Sequence, residues 1–317
     1  MTTESAVLRK IMKAFGGLLV LIDILLLVVK ILYYIGEGIY RLIVPVEQKS
    51  VVGEIVLVTG AGHGIGRELA LKYASLGAIV VCWDVNQEGN DETLNEIKQI
   101  SETKAYGYKC DVSNREEVFK VAEKVKEEVG NVTILINNAG IMPCHSFLNH
   151  TPEEIRRTFE INVFAHFWTL QAFLPSMIEK NYGHVVAISS LAGMTGVANV
   201  VPYSATKFAV RGLMDSLNEE MRTLKNDGKS LNIHFTTIVP YMVNTGMCKK
   251  PKFRFPCMSL VSPKEAAAVI VKAQRRNIRQ ISVPSFWLYV LSFLKCMPDS
   301  SMFCIADFLS SGLEPDS

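Results

Sequence analysis

The feature that most restricts the fold of this chain is an apolar run that ends in closely spaced glycines. Ile55-Val56-Leu57-Val58 is followed by Thr59-Gly60-Ala61-Gly62-His63-Gly64-Ile65-Gly66. The run reads as a buried strand, and the stretch after the glycines reads as a helix, so the chain must reverse within a few residues. Gly60, Gly64 and Gly66 allow that reversal and a close backbone approach. A pyrophosphate can then rest on the amino end of the helix beginning near Ile65. The spacing differs slightly from Gly-x-Gly-x-x-Gly, and no Gly-Lys-Ser/Thr follows, which separates this turn from a Walker loop. A turn that only joins strand to helix is the alternative reading.

From about Val52 to Val283 strand-like and helix-like segments alternate without a polar linker. Strands are expected at 55–59, 78–84, 105–110, 132–137, 184–189, 231–239 and 279–283, and helices at 65–76, 88–101, 114–129, 152–181, 203–225 and 263–276. Such alternation predicts a doubly wound α/β fold with a parallel sheet of about seven strands, covered by helices on both faces. Two helix starts are marked in full, Thr151-Pro152-Glu153-Glu154 and Ser262-Pro263-Lys264-Glu265, each with a cap residue, proline at the first position and an acid three residues beyond the cap. The organisation is an apolar anchor and linker at 1–49, one catalytic domain at 50–283, and an apolar extension at 284–317. No internal repeat or low-complexity tract interrupts it.

In such a sheet ligands gather at the carboxyl ends of the strands. The strand at 78–84 ends in Asp84, about twenty residues beyond the glycines, where a carboxylate accepts hydrogen bonds from ribose hydroxyls. It repels a 2′-phosphate, and Val85 supplies no compensating cation, so NAD is favoured over NADP. Capping of the next turn is the other role open to Asp84. Farther on, Tyr203 and Lys207 stand four apart in Tyr203-Ser204-Ala205-Thr206-Lys207, on one face of a helix, where an ammonium favours a phenolate. Tyrosine and lysine four apart also occur on solvated helices, and the order and spacing relative to the glycine turn give the pair its meaning. Ser190, closing the run Gly183 to Ser189, offers a hydroxyl to a substrate oxygen; Ser189 points the opposite way on a strand. A proton carrier, a modulator of its pKa and an oxygen-positioning group together point to hydride transfer.

At these residues the chain resembles the short-chain dehydrogenase/reductase family, over roughly residues 50 to 283. The likeness also includes Asp111-Val112, Asn137-Asn138-Ala139-Gly140, Ile161-Asn162-Val163 and Pro240-Tyr241-Met242-Val243-Asn244-Thr245. Gly53-Glu54-Ile55-Val56-Leu57-Val58-Thr59-Gly60 and its continuation to Gly66 are similar to the membrane-anchored branch of epidermal retinol dehydrogenases and related 17β-hydroxysteroid dehydrogenases. The resemblance implies a Rossmann-type domain in which Tyr203 is the general acid/base. Lys207 depresses its pKa and binds the nicotinamide ribose, Ser190 orients the substrate oxygen, and Asn162 holds a water linking Lys207 to solvent. Alone, an asparagine within a helix can simply bond a neighbouring carbonyl. The resemblance further implies that Thr59, Gly60, Gly64, Ile65 and Gly66 form the nucleotide turn, with Asp84 on the adenosine ribose. It puts Asp111 and Val112 beside the adenine, Asn138, Ala139 and Gly140 along the middle of the cofactor, and Thr245 on the carboxamide. It also implies a homodimer through the helices at 152–181 and 203–225. Tyr241 stands where the family often has glycine and is expected to reshape the nicotinamide end of the pocket.

The amino terminus is different in kind. Gly16 to Ile35 is twenty residues long and mostly Leu, Ile and Val, reaching roughly 30 Å as a helix, the thickness of a hydrocarbon core. Asp23 and Lys30 interrupt it, so a span, an in-plane helix and a buried core helix all stay open. Arg9, Lys10 and Lys13 on one flank nearly balance Arg41 and Lys49 on the other, which leaves orientation open. The aromatic stretch 284–294 is too short to span and reads as an interfacial element, a cover over the pocket or a packed helix. Lys249-Lys250-Pro251-Lys252-Phe253-Arg254-Phe255 suits a substrate loop touching anionic lipid head groups. A net charge of +2 gives no basis for a nucleic-acid partner.

Seven cysteines without a Cys-x-x-Cys pair, and six histidines without ligand spacing, give no metal site. They fit free thiols and a cytosol-facing domain on the endoplasmic reticulum membrane, or a lipid droplet. Asn131-Val132-Thr133 and Asn149-His150-Thr151 match a glycosylation pattern that matters only for a luminal domain. Segments 141–148, 191–201 and 246–260 are apolar and are expected to wall a pocket for a small apolar alcohol or ketone. All-trans-retinol is the first choice by the resemblance and a 17β-hydroxysteroid the second. A membrane platform that uses the fold without turnover is the competing class.

Overall fold

The structure is a computed structural model that describes residues 3–226, 231–255, 259–309 and 312–315. It comprises two compact units, Met1–Gln48 and Lys49–Ser317.

The first unit is one long helix, α1 (Thr3–Ile43). Its segment Phe15–Arg41 has a mean hydropathy of 2.6 and no buried residue in its most apolar window. Such a surface belongs in an apolar medium, and its length suffices to cross a bilayer.

In the second unit the strands are β1 (Ile55–Thr59), β2 (Ile79–Asp84), β3 (Ala105–Lys109), β4 (Ile134–Asn137), β5 (Gly183–Ile188), β6 (Ile233–Pro240) and β8 (Gln280–Val283). They form one sheet in the order β3-β2-β1-β4-β5-β6-β8, every pair parallel. Helices α2 (Gly64–Ser75), α3 (Gln87–Ile100) and α8 (Pro263–Arg275) cover one face. The other face carries α4 (Arg115–Glu128), α6 (Ala165–Glu179) and α7 (Val201–Asn226). Side chains alternate across a strand, so Val56 and Val58 join the first layer with Leu69, Tyr73 and Ile270 while Leu57 joins the second with Phe173 and Met214. Burial on both faces explains why the strands read as continuous apolar runs, and each fully buried large side chain contributes about 1.5–3 kcal/mol. The order reverses between β1 and β4, which opens a crevice at their carboxyl ends.

Both expected capping boxes are present, Thr151 with Glu154 and Ser262 with Glu265. The single helix expected over 152–181 is not. It consists of α5 (Pro152–Phe159), a π-helical turn at Glu160–Phe164, and α6. A π turn inserts one residue into the ladder and re-aims the side chains beside it, and Asn162 is at its centre. Beyond β8 come α9 (Phe286–Leu294) and α10 (Asp299–Leu309). The cationic stretch at 249–255 is tied to this tail: β7 (Pro251–Lys252) pairs antiparallel with β9 (Gly312–Leu313), and Arg254 donates to the Phe308 carbonyl at 2.8 Å.

Candidate active site

The nucleotide turn is built from steric necessity. Gly60 and Gly64 have φ of 68° and 57°, the left-handed region that other residues avoid. Gly66 is required for space, since a Cβ there lies 2.0 Å from the Gly60 oxygen and 2.6 Å from Asn138 Nδ2. Helix α2 therefore starts hard against the turn, at the mouth of the β1–β4 crevice. Thr59 faces inward: its Oγ1 accepts from the N–H groups of Asn138 (3.0 Å) and Ala139 (3.1 Å). Asn138 answers by donating Nδ2 to the carbonyls of Thr59 (2.9 Å) and Gly60 (3.2 Å). Thr59 thus holds the walls of the crevice together.

Asp84 is buried at the end of β2 and serves both turns beside it. One carboxylate oxygen accepts from the Gly62 N–H at 2.8 Å and the other from the Asn86 N–H at 2.9 Å. Asp111 accepts from Ser113 and from Arg157, the latter at 3.0 Å. Burial pushes its carboxyl up, but the Ser113 and Arg157 contacts outweigh that and hold it below the usual carboxylate range. Arg157, on α5, carries no signal in the sequence that pairs it with Asp111. Val112 is buried next to this pair.

One cavity of about 440 Å³ is lined by Ser190, Tyr203 and Lys207 together with Gly60, Gly64, Ile65, Asn138, Ala139, Gly140 and Thr245. Thr245 comes so near the turn that a Cβ on Gly64 lies 3.0 Å from its methyl carbon. Thr59, Gly66, Asp84, Asp111, Val112 and Asn162 do not line this cavity. Ser189 donates to the Lys207 carbonyl at 2.8 Å, so the neighbouring Ser190 is the serine directed at the phenol. Lys207 Nζ donates to the Ile188 carbonyl at 2.9 Å and lies 5.4 Å from the centroid of the Tyr203 ring. Burial lowers this lysine to about 8. Burial also pushes the Tyr203 phenol up to about 12, with the Ser190 hydrogen bond pulling it down and Cys248 pushing it up.

Asn162 clamps the chain after Gly140. Its Oδ1 accepts from the Ile141 N–H, and its Nδ2 donates to the Ile141 carbonyl, both at 2.9 Å, and to Thr206 Oγ1 at 3.2 Å. A Cβ on Gly140 lies 3.2 Å from Asn162 Oδ1 and 3.6 Å from Lys207 Nζ, which places amide and ammonium around one glycine. The far end of the cavity is apolar, with Met142, Val197, Trp287, Leu291 and Leu313 among its walls. Tyr241 stacks on Trp287 with centroids 5.5 Å apart and planes 23° apart. The residue that departs from the family pattern thus builds an aromatic wall with α9, and the 284–294 stretch covers the pocket. The wall expected at 246–260 is only partly seen, since 256–258, including Cys257, lie outside the described residues.

These residues suit a dinucleotide. A glycine cradle that a single methyl overfills stands at one end, the Asp84 carboxylate closes the neighbouring strand, and a buried lysine and tyrosine stand at the other end.

Comparison with known proteins gives the same reading. The family profile described as short chain dehydrogenase matches residues 54–252. Short-chain dehydrogenase/reductase family 16C member 6 of Bos taurus is 42% identical over 291 residues, covering 92% of this chain and 91% of that protein. Epidermal retinol dehydrogenase 2 of Homo sapiens is 40% identical, covering 88% and 92%. The 17-beta-hydroxysteroid dehydrogenase 13 of Homo sapiens is 39% identical, covering 88% and 91%. Among solved structures, a metagenomic short-chain oxidoreductase in complex with NADP is 29% identical with a TM-score of 0.62, covering 74% of this chain and 98% of that one. A Burkholderia phymatum short chain dehydrogenase/reductase in complex with NAD shares the fold at 24% identity, with a TM-score of 0.69 and coverage of 77% and 93%. The chain is an oxidoreductase of the short-chain dehydrogenase/reductase family, in the branch of the epidermal retinol dehydrogenases and 17β-hydroxysteroid dehydrogenases.

Proposed function

We propose that this protein oxidises an apolar lipid alcohol with NAD, all-trans-retinol to retinaldehyde being the first choice. The observation that carries the reading is the convergence of Ser190, Tyr203 and Lys207 on one cavity that has the glycine turn at one end and apolar walls at the other. NAD is favoured over NADP because the Asp84 carboxylate, at the end of β2 and followed by Val85, suits a ribose with free hydroxyls and repels a 2′-phosphate. Retinol is favoured by the likeness to epidermal retinol dehydrogenase 2, and a 17β-hydroxysteroid is second by the likeness to 17-beta-hydroxysteroid dehydrogenase 13.

NAD, when bound, accepts the hydride. The chain's own residues handle the proton and the oxygen. Ser190 donates a hydrogen bond to the substrate oxygen, and Tyr203, as phenolate, takes the hydroxyl proton. Lys207 presents its ammonium to the Tyr203 ring and favours the phenolate by Coulomb attraction in a dry site. It also binds the nicotinamide ribose, and Asn162 supports the water that carries the proton on. Gly60, Gly64, Ile65 and Gly66 hold the pyrophosphate, with Thr59 bracing their turn. Asp111 and Val112 flank the adenine, Asn138 to Gly140 line the centre, and Thr245 meets the carboxamide.

The exposed apolar helix α1 anchors the protein to the endoplasmic reticulum membrane or a lipid droplet, with the catalytic unit facing the cytosol, so that substrate is drawn from lipid. Phe167 on α6 and Phe208 on α7, exposed at 40% and 42%, support homodimerisation through these helices. The test is NADH formation by membrane fractions given all-trans-retinol or estradiol, with Tyr203→Phe alongside. Turnover of retinol that Tyr203→Phe abolishes is expected. Preference for estradiol selects the steroid reading, and NAD binding without turnover of either alcohol selects the platform.

A further inference from the structure

Two buried polar groups, on α6 and at the end of β4, are left unused by this chemistry. His166 is on α6, four residues after Asn162, and only 2% of it is exposed. Both side chains are buried, Asn162 in the π turn and His166 in the first turn of α6. The Nδ1 of His166 is buried without a partner among the described residues, and so is Nδ2 of Asn137, the last residue of β4. Thr169 joins the two residues, its hydroxyl lying 2.8 Å from Asn137 Oδ1 and 3.1 Å from the His166 carbonyl. Asn137 is in register with Ala187, which precedes the Ile188 carbonyl that holds Lys207. Burial, with the Lys207 charge second, lowers the His166 imidazole to about 3, so the ring is neutral at working pH and within the field of the lysine.

Asn162 alone is a poor holder of a relay water. Both of its N–H donors and one of its oxygen's two lone pairs are already engaged by Ile141 and Thr206, which leaves a single acceptor site. An internal water needs two to four polar partners, and unpartnered polar atoms in a protein interior are the ordinary seats of such waters.

We propose that His166 and Asn137 hold an internal water beside Lys207, which makes His166 a positioning residue for the proton that leaves Tyr203 during alcohol oxidation. The inference rests on the reading of Tyr203 as the base. The alcohol loses its hydroxyl proton to the phenolate and its hydride to the cofactor. The proton then passes through Lys207 to the held water, which gives up one of its own protons to bulk water, while His166 stays neutral and keeps the held water oriented.

The full-length protein tests this with His166→Leu and His166→Asn. Leucine fills the space without a polar atom, and asparagine returns an amide atom close to the place of Nδ1. In crystals of the NAD complex that show ordered solvent, the wild type is expected to hold a water bonded to His166 Nδ1 and Asn137 Nδ2, and His166→Leu to lack it. With all-trans-retinol and NAD, His166→Leu is expected to lower kcat about tenfold with KM within about twofold and a larger solvent deuterium isotope effect, most of it recovered in His166→Asn. A wild-type crystal that is dry at this position overturns the proposal whatever the substrate, and so does full kcat in His166→Leu. Tyr203→Phe in the same assay separates the failures. Undiminished turnover there removes the base itself, whereas an inactive Tyr203→Phe beside an unimpaired His166→Leu removes only the held water.

Discussion

Replacing Lys207 by methionine should make the protein more stable while abolishing turnover. Lys207 is buried, and its fall from an ordinary 10.5 to about 8 is caused by burial. At about 1.4 kcal/mol for each pH unit, keeping the ammonium in the folded protein costs about 3 kcal/mol. Below pH 8 folded and unfolded chains both carry the charge, and the whole cost is present. Between pH 8 and 10.5 the unfolded chain binds more protons than the folded one, so the stability of the natural protein rises with pH. Methionine keeps the stem and removes the charge, and it gives up the hydrogen bond to the Ile188 carbonyl, worth about 1 kcal/mol. The net gain at pH 7 is about 2 kcal/mol, or a rise of about 5 °C in Tm. It should shrink to within about 1 kcal/mol at pH 9.5. Thermal unfolding of the full-length protein in detergent micelles, followed by tryptophan fluorescence at both pH values, measures it. A variant less stable than wild type at pH 7, or a gain that does not shrink at pH 9.5, would refute the reasoning.

Gly66→Ala drives a methyl into the Gly60 carbonyl, and this overpacking should cost about 3 kcal/mol or more and weaken NAD binding at least tenfold, read by melting and by fluorescence titration. Burial holds the Tyr203 phenol up while Ser190 pulls it down, so alcohol oxidation should rise with pH. Ser190→Ala should move that rise to higher pH in a kcat/KM profile, and an unmoved limb counts against the hydrogen bond. Asp84→Asn removes the charge that repels a 2′-phosphate and should narrow the preference for NAD over NADP by about tenfold in paired KM measurements.

What could be read from the sequence is what local spacing encodes. The tight glycine turn, Tyr203 and Lys207 on one helix face, the opposed directions of Ser189 and Ser190 and both capping boxes each depend on residues a few positions apart, and the geometry of each is as expected. The π turn at Glu160–Phe164 escaped because one inserted residue barely disturbs an apolar period. Arg157 on Asp111, Tyr241 on Trp287 and the pairing of Pro251 with Leu313 join distant segments, and no local pattern announces them. The electrostatics of the phenol also depend on packing. The sequence pointed to Lys207 as the dominant influence, whereas burial is the largest, and it acts in the opposite direction.

The most direct measurement is transfer of deuterium from carbinol-deuterated all-trans-retinol to NAD by the full-length protein, compared with Tyr203→Phe. Deuterated NADH should form with the wild type and fall at least about a hundredfold in the variant. Equal transfer by both proteins, or none from retinol or estradiol by a protein that binds NAD, contradicts hydride chemistry at Tyr203.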